Sequence, residues 1–235
     1  MAPGEDRSPD RVRAMFEAIA PRYDLLNRAL SLGLDVRWRR RAVGELPRSP
    51  DARVLDLCGG TGDLSRALLA GGRAGFVVCL DFAHPMLLRA SRKLRRTPGR
   101  SAVVEADALR LPFADGSFDG AAAAFGVRNL ADRDAGFREV ARVLRPGGRF
   151  VVLEFSRPAG PILSPLWRFH VRRIVPRLGD RVSGETGPYG YLARTIGEFP
   201  EPAFLAGRLR EAGFAAAGFA PLSGGIVCVH VAVKA

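Results

Sequence analysis

Five short apolar runs interleaved with helical patterns constrain this chain more than any other feature. They are RVLDL at 53–57, GFVVCLD at 75–81, SAVVEAD at 101–107, GAAAAFG at 120–126 and RFVVLEF at 149–155. Between them GDLSRALLA, HPMLLRASRKLRR and DRDAGFREVARVLR carry helical spacing. Strands alternating with helices predict right-handed crossovers and a parallel sheet covered on both faces. Pro146-Gly147-Gly148 is expected to stop the third helix before RFVVLEF.

The flanks read differently. SPDRVRAMFEAIAPRYD opens with a Ser or Asp cap and places Val12, Met15, Phe16 and Ile19 at helical spacing until Pro21 interrupts it. A second helix is expected through VRWRRRAVGEL. Residues 157–200 break the alternation and read as an inserted helical cover. FAAAGFAPLSGGIVCVHVAVKA reads as two strands that add an antiparallel edge to the sheet. No internal repeat or long linker appears, so 1–235 reads as one domain.

Composition narrows the function. No run approaches the roughly 18 apolar residues of a membrane span, and the polar start MAPGEDRSPD is no secretory signal, which implies a cytoplasmic protein. The three cysteines lie in strand-like contexts without metal or redox spacing, and the three histidines are isolated, so no metal site is expected. The net charge of +12 comes mostly from arginine in WRRR, RKLRR and WRFHVRR. It suits nucleic acid, anionic lipid or an acidic ligand, and arginine-rich solvated helix faces account for it equally well. RNA recognition wants aromatic platforms among the basic residues, and Trp38 and Trp167 alone do not supply them, so no nucleic-acid partner is expected.

VLDLCGGTGD, 54–63, carries the chemistry. A strand followed by a glycine turn and a helix is a nucleotide-site arrangement, and it is also simply a tight turn. No lysine follows as a phosphate loop requires, and the GxGxxG spacing is absent. Asp56 precedes the glycines and Asp63 follows them. Two carboxylates disfavour a pyrophosphate and suit a ligand bearing an ammonium and a sulfonium. Gly60, Thr61 and Gly62 leave bare backbone beside that ligand. Asp81 ends the second run, where an acid accepts hydrogen bonds from ribose hydroxyls or caps the next helix. Phe82 is placed to flank a base. Asp107 and Ala108 follow the third run and can offer a carboxylate and a backbone N–H to an adenine. Open α/β sheets bind ligands at such strand tips.

These residues resemble the class I S-adenosylmethionine-dependent methyltransferases, as do LPFADGSFDG at 111–120 and RVLRPGGRFVVLEFS at 142–156. A narrower resemblance is to the ubiquinone/menaquinone biosynthesis C-methyltransferases. It rests on RYDLLNRALSLGLDVRWRR at 22–40, FGVRNLADR at 125–133, YGYLARTIGEFP and LSGGIVCVHVAVK, and spans about residues 10–234. The chain departs from that pattern at Leu26, Asp35, Arg145, Ala193-Arg194-Thr195 and Ala124. Where relatives carry a serine hydroxyl, Ala124 offers the cofactor only backbone.

The resemblance implies a Rossmann-like class I methyltransferase fold: a seven-stranded, mostly parallel sheet with an antiparallel C-terminal strand. Residues 1–48 become an N-terminal helical lid and 157–200 a substrate cover. It implies S-adenosylmethionine as cofactor and methylation of a ring carbon of a polyprenylated quinol, with demethylmenaquinol favoured, the ubiquinone-pathway benzoquinol second, and another small molecule or RNA as further options. Arg128 would stabilise the phenolate or polarise a water; its alternative is a salt bridge to Asp132 or Asp134. Asn129 would hold a quinol oxygen. Tyr23 would close on the methionine part, and Asp24 would serve as base or as a helix cap. Asn27, Tyr189 and Tyr191 would line the ring pocket. PILSPLWRFHVRRIVPRLGD, 161–180, mixes apolar residues, arginine and Trp167. That suits peripheral contact with an anionic membrane on its inner face, and equally a core-facing helix or a homodimer face.

Overall fold

The computed structural model describes residues 9–158, 160–183 and 187–235. Among them, seven strands form one sheet: β1 Arg53–Leu57, β2 Phe76–Asp81, β3 Ser101–Glu105, β4 Phe118–Ala124, β5 Leu144–Phe155, β6 Phe214–Leu222 and β7 Val227–Lys234. Their order is β3-β2-β1-β4-β5-β7-β6. Strands β1 to β5 run parallel, and β7 is antiparallel to both neighbours, so within the expected hairpin only β7 is reversed.

The helices are α1 Pro9–Ile19, α2 Tyr23–Leu30, α3 Leu34–Val43, α4 Asp63–Ala70, α5 His84–Leu94, α6 Arg133–Val143, α7 Leu163–Phe169, α8 Val175–Ser183, α9 Pro188–Glu198 and α10 Pro202–Glu211. Pro21 sits in a single 3-10 turn, Ala20–Arg22, that separates α1 from α2. A π-helical turn, His170–Ile174, joins α7 to α8. Ser8, and residues 184–186 of the glycine-rich turn in the cover, lie outside the described residues.

Period-two alternation splits the core. Leu55 and Leu57 of β1 join Phe118, Phe137 and Phe150 on one face, beneath α6 and α10. Val54, Val77 and Val151 face the other way, onto Trp38, Leu64, Leu68 and Leu87 of α3, α4 and α5. A third cluster ties the ends of the molecule together. Ile19, Ala20 and the fully buried Leu26 pack with Met86, Val175 and Tyr189, joining α2 to α5, α8 and α9. Burying one such leucine contributes about 1.5–3 kcal/mol, enough to fix a two-turn helix that has little intrinsic stability.

Two expectations change. Helix α6 ends at Val143, before the proline. Leu144 already pairs with Phe118, and 145–148 bulge out until pairing resumes between Arg149 and Gly120, so Pro146-Gly147-Gly148 shapes a bulge and not the helix stop. Helix α10 was not anticipated. Its buried stripe, Leu205 and Leu209, stands at i, i+4 between the cover and β6. Among the described residues no helix is long and apolar enough to cross a membrane.

Candidate active site

Strand order reverses between β1 and β4, and the site lies at the tips of these two strands. After β1 the chain turns through Cys58 at φ +54°, Gly60 at +54° and Gly62 at +81° into α4. A Cβ on Gly59 would lie 2.5 Å from the Cys79 sulfur. At the tip of β4, Phe125 sits at φ +60°, and a Cβ on Gly126 would lie 2.3 Å from Cys58 Cβ. Two non-glycine residues held in the left-handed region cost of order 1–3 kcal/mol each, and such strain collects at functional sites.

A cleft of about 900 Å³ opens over these tips. Gly60, Asp81, Phe82, Asp107, Ala108, Ala124 and Asn129 line it, with Tyr23, Phe16 and Val12 from the N-terminal helices. Asp81 is buried. Its Oδ2 accepts from Gly60 N at 2.9 Å and its Oδ1 from Ala83 N at 3.0 Å, so one carboxyl fixes both the glycine turn and the entry to α5. Burial raises its pKa, partly offset by those N–H groups. Asp107 is exposed and accepts from Leu109 N at 2.9 Å. Burial also pushes the Cys58 thiol well up, so this cysteine lines the cleft without being a thiolate nucleophile.

Four sequence candidates stand elsewhere. Asp56 is fully buried beneath the glycine turn and does not line the cleft. Ser65 Oγ donates to its Oδ2 at 2.6 Å, its Oδ1 has no hydrogen-bond partner, and burial pushes its pKa up to about 7. Thr61 and Gly62 shape the turn behind the cleft wall: Gly62 N donates to Gly59 O at 2.9 Å, and Thr61 is buried. Asp24 lines neither this cleft nor the cavity described next. Its carboxylate pairs with Lys93 at 2.7 Å and accepts from Thr61 Oγ1 at 2.5 Å, which ties the start of α2 to the glycine turn.

A second cavity, about 1420 Å³ and mostly apolar, adjoins the cleft. Phe16, Tyr23 and Phe125 line both. Its walls come from α1, α2, α3, α7 and α9 and include Asn27, Trp167, Tyr189 and Tyr191. Trp167 is buried there, as in the core-facing alternative for this segment. Tyr191 donates to Asn129 Oδ1 at 3.3 Å across the boundary between the two spaces. Tyr189 is buried with its hydroxyl unpartnered, and burial raises its pKa. The Tyr23 phenol also has a raised pKa, through burial and against the pull of Arg128, so it keeps its proton.

Arg128 lines the apolar cavity and is 5% exposed. It pairs with neither Asp132 nor Asp134. Asp132 caps α6 through Ala135 N at 3.0 Å, and Asp134 pairs with Arg208. Instead Arg128 bonds the fully buried Glu154 at 2.9 Å and the Phe125 carbonyl, and it lies 5.6 Å from the Phe155 ring centroid. Its Nε is buried without a hydrogen-bond partner. Glu154 escaped the sequence reading because it sits inside RFVVLEF, where a single acid in an apolar strand gives no signal of its own. Among the described residues no group of histidine, cysteine or acid is arranged to hold a metal.

A doubly wound sheet of this order, with a carboxylate-edged cleft at its strand tips, defines a Rossmann-like class I methyltransferase fold. A SAM-dependent methyltransferase of Thermotoga maritima matches it at TM-score 0.66 and 18% identity, over 94% of this chain and 99% of that one. The chain belongs to the ubiE/COQ5 methyltransferase family, whose model matches residues 5–234. It is 46% identical over 217 residues to a demethylmenaquinone methyltransferase of Thermus thermophilus, covering 92% of this chain and 98% of the relative. It is 42% identical to a ubiquinone/menaquinone biosynthesis C-methyltransferase of Geobacter, over 96% and 97% of the two chains.

Proposed function

We propose that this protein is an S-adenosylmethionine-dependent C-methyltransferase that converts demethylmenaquinol to menaquinol. The observation that carries the reading is the junction at Phe16, Tyr23 and Phe125. There a cleft edged by carboxylates meets an apolar cavity with a buried guanidinium in its wall. The Thermus relative's name supports the acceptor. The Geobacter relative's name covers both pathways and keeps the ubiquinone-pathway benzoquinol as the second reading.

The residues fit the methyl donor. The cleft offers close-packed glycine backbone at 59–60, the buried Asp81 for ribose hydroxyls, and Phe82, Asp107 and Ala108 for the base. Ala124 contributes backbone only. The unpartnered Asp56 Oδ1 beneath the turn supports an indirect role for that acid, through the loop and not by direct grip. The donor supplies an electrophilic methyl on a sulfonium leaving group.

The protein's part is alignment, dryness and charge. The apolar walls hold the ring and exclude water, and orientation of this kind accounts for roughly 7–11 kcal/mol of a barrier. A phenol has a reference pKa of about 10, and a fixed positive neighbour lowers it. Arg128 fills that post locally through its unpartnered Nε–H, while Glu154 balances its net charge. A guanidinium stays protonated, so the phenolic proton leaves to water while Arg128 stabilises the phenolate, and once the ring carbon carries the methyl its displaced C–H proton also leaves to water and restores the aromatic ring. Asn129, held by Tyr191, positions a quinol oxygen or that water. Asn27, Tyr189 and Tyr191 shape the ring pocket, and α1 and α2 act as a lid over both spaces.

Peripheral contact with an anionic membrane completes the reading. From Ile162 through α7 and the π-helical turn to the start of α8, Trp167, Val171 and Val175 turn inward, while Ile162, Leu166 and Phe169 are exposed beside Arg168, Arg172 and Arg173. Leu166 also lines the cavity, so an isoprenoid tail has an apolar path from a bilayer. Incubation with methyl-labelled S-adenosylmethionine and short-chain demethylmenaquinol or the benzoquinol should label the naphthoquinol ring preferentially. Label on neither ring rejects the quinol reading.

A further inference from the structure

Lys93 lies in the last turn of α5, outside both cavities, in a run of basic residues that looks solvated. Its ammonium sits 2.7 Å from Asp24 Oδ2, 2.7 Å from Asp63 Oδ1 and 2.9 Å from Thr61 Oγ1. The Thr61 hydroxyl in turn donates to Asp24 Oδ1 at 2.5 Å, which closes the ring of contacts. An ammonium has three N–H donors, and here three acceptors meet it from three places: the start of α2, the glycine turn and the start of α4. Tyr23, which lines both cavities, is the residue next to Asp24.

We propose that Lys93 is a positioning residue that latches the N-terminal helices onto the cofactor loop, so that the donor site and the acceptor wall assemble as one unit. The inference rests on the methyltransferase reading. Its physical basis is charge. Asp24 and Asp63 share one cation, and without it two carboxylates would confront each other across the seam between lid and loop. All three side chains keep between a fifth and a third of their surface exposed, so water and salt reach the latch, and it can open for ligand exchange.

The test compares wild type, Lys93→Met and Asp24→Ala in two measurements. Calorimetric titration with S-adenosylhomocysteine should show at least a tenfold rise in Kd for both variants, with donor KM rising more than kcat falls. Amide hydrogen exchange of the ligand-free proteins should be at least tenfold faster across Tyr23–Leu30, with β1 and β4 unchanged. A Kd within twofold of wild type in Asp24→Ala overturns the latch, as does exchange that accelerates equally in α2 and the strands. Asp24→Ala keeps the Lys93–Asp63 pair and decides the matter even if Lys93→Met does not fold. If wild type fails to bind S-adenosylhomocysteine, the methyltransferase reading falls, and the exchange measurement still decides the latch.

Discussion

The cleft at the strand tips and the apolar cavity beside it share three side chains and are otherwise built by different means. The cleft is made at the ends of strands, from backbone turned tightly enough to place Cys58 and Phe125 in left-handed conformations. The cavity is made of side chains from helices at both ends of the chain, with Arg128 at one wall and its partner Glu154 buried behind it. A polar ligand is recognised by fixed directional groups, which the tips of a parallel sheet supply. A greasy ring is recognised by exclusion of water, which needs walls gathered from wherever the fold can bring them.

The sharpest way to test that division is Arg128→Met. Losing one preorganised stabilising charge should lower turnover by roughly 10²–10³-fold, with S-adenosylhomocysteine affinity nearly unchanged. Leaving Glu154 buried without its partner should also cost about 3–5 kcal/mol of stability. Arg128→Met combined with Glu154→Leu should recover stability and not turnover, as read by denaturant melts and steady-state kinetics. Turnover within tenfold of wild type would remove Arg128 from the chemistry.

Gly126→Ala attacks the opposite side. Its new methyl would meet Cys58 Cβ at 2.3 Å and force the tips of β1 and β4 apart. Overpacking of this kind costs about 1–3 kcal/mol, and donor affinity should fall with it in calorimetry. Unchanged donor affinity would show that the two tips need not touch for the cleft to work.

Asp56 gives a pH signature to the cleft side alone. Its folded pKa of about 7 lies above the ordinary value of 3.8. As pH rises through that window the unfolded chain loses this proton while the folded chain keeps it. Stability contributed by the group is therefore full below the lower value and lost towards the upper one. The slope is at most about 1.4 kcal/mol per pH unit. Asp56→Asn should flatten the fall in unfolding free energy between pH 5 and pH 7, measured by urea titration. An identical fall in the variant would mean that Asp56 ionises freely in the folded protein.

The smallest effect lies outside the cavity mouth. Arg172→Ser with Arg173→Ser should weaken sedimentation with anionic vesicles by about 1 kcal/mol per arginine, and leave kcat/KM for a short-chain acceptor in detergent unchanged. Equal binding by the variant would assign these charges to solvation.

The strands, the parallel sheet and the edge hairpin were legible because each rests on a local period of two or on a turn. Asp81, Phe82, Asp107 and Ala108 were legible because they follow strand ends directly. Other residues carry no local mark. Glu154 hides in an apolar run, Lys93 in the basic run RKLRR, and Leu205 and Leu209 in a stretch between two clearer patterns. Asp24 was visible as a candidate base or helix cap, and its ion pair was not, because its neighbour across the seam is Lys93, 69 positions away in the chain.

The sequence alone determined the order of elements, the strand tips that carry acid and glycine, and the family resemblance, since periodicity and turn chemistry act between residues a few positions apart. The tertiary structure decided which acids face the cleft and which lie beneath it, which acid pairs with Arg128, and which charges meet between α2, α4 and α5. Those outcomes depend on burial and on charges meeting through space. Burying an ion is costly enough that its partner must be supplied by the fold, from whichever segment the packing brings within about 3 Å.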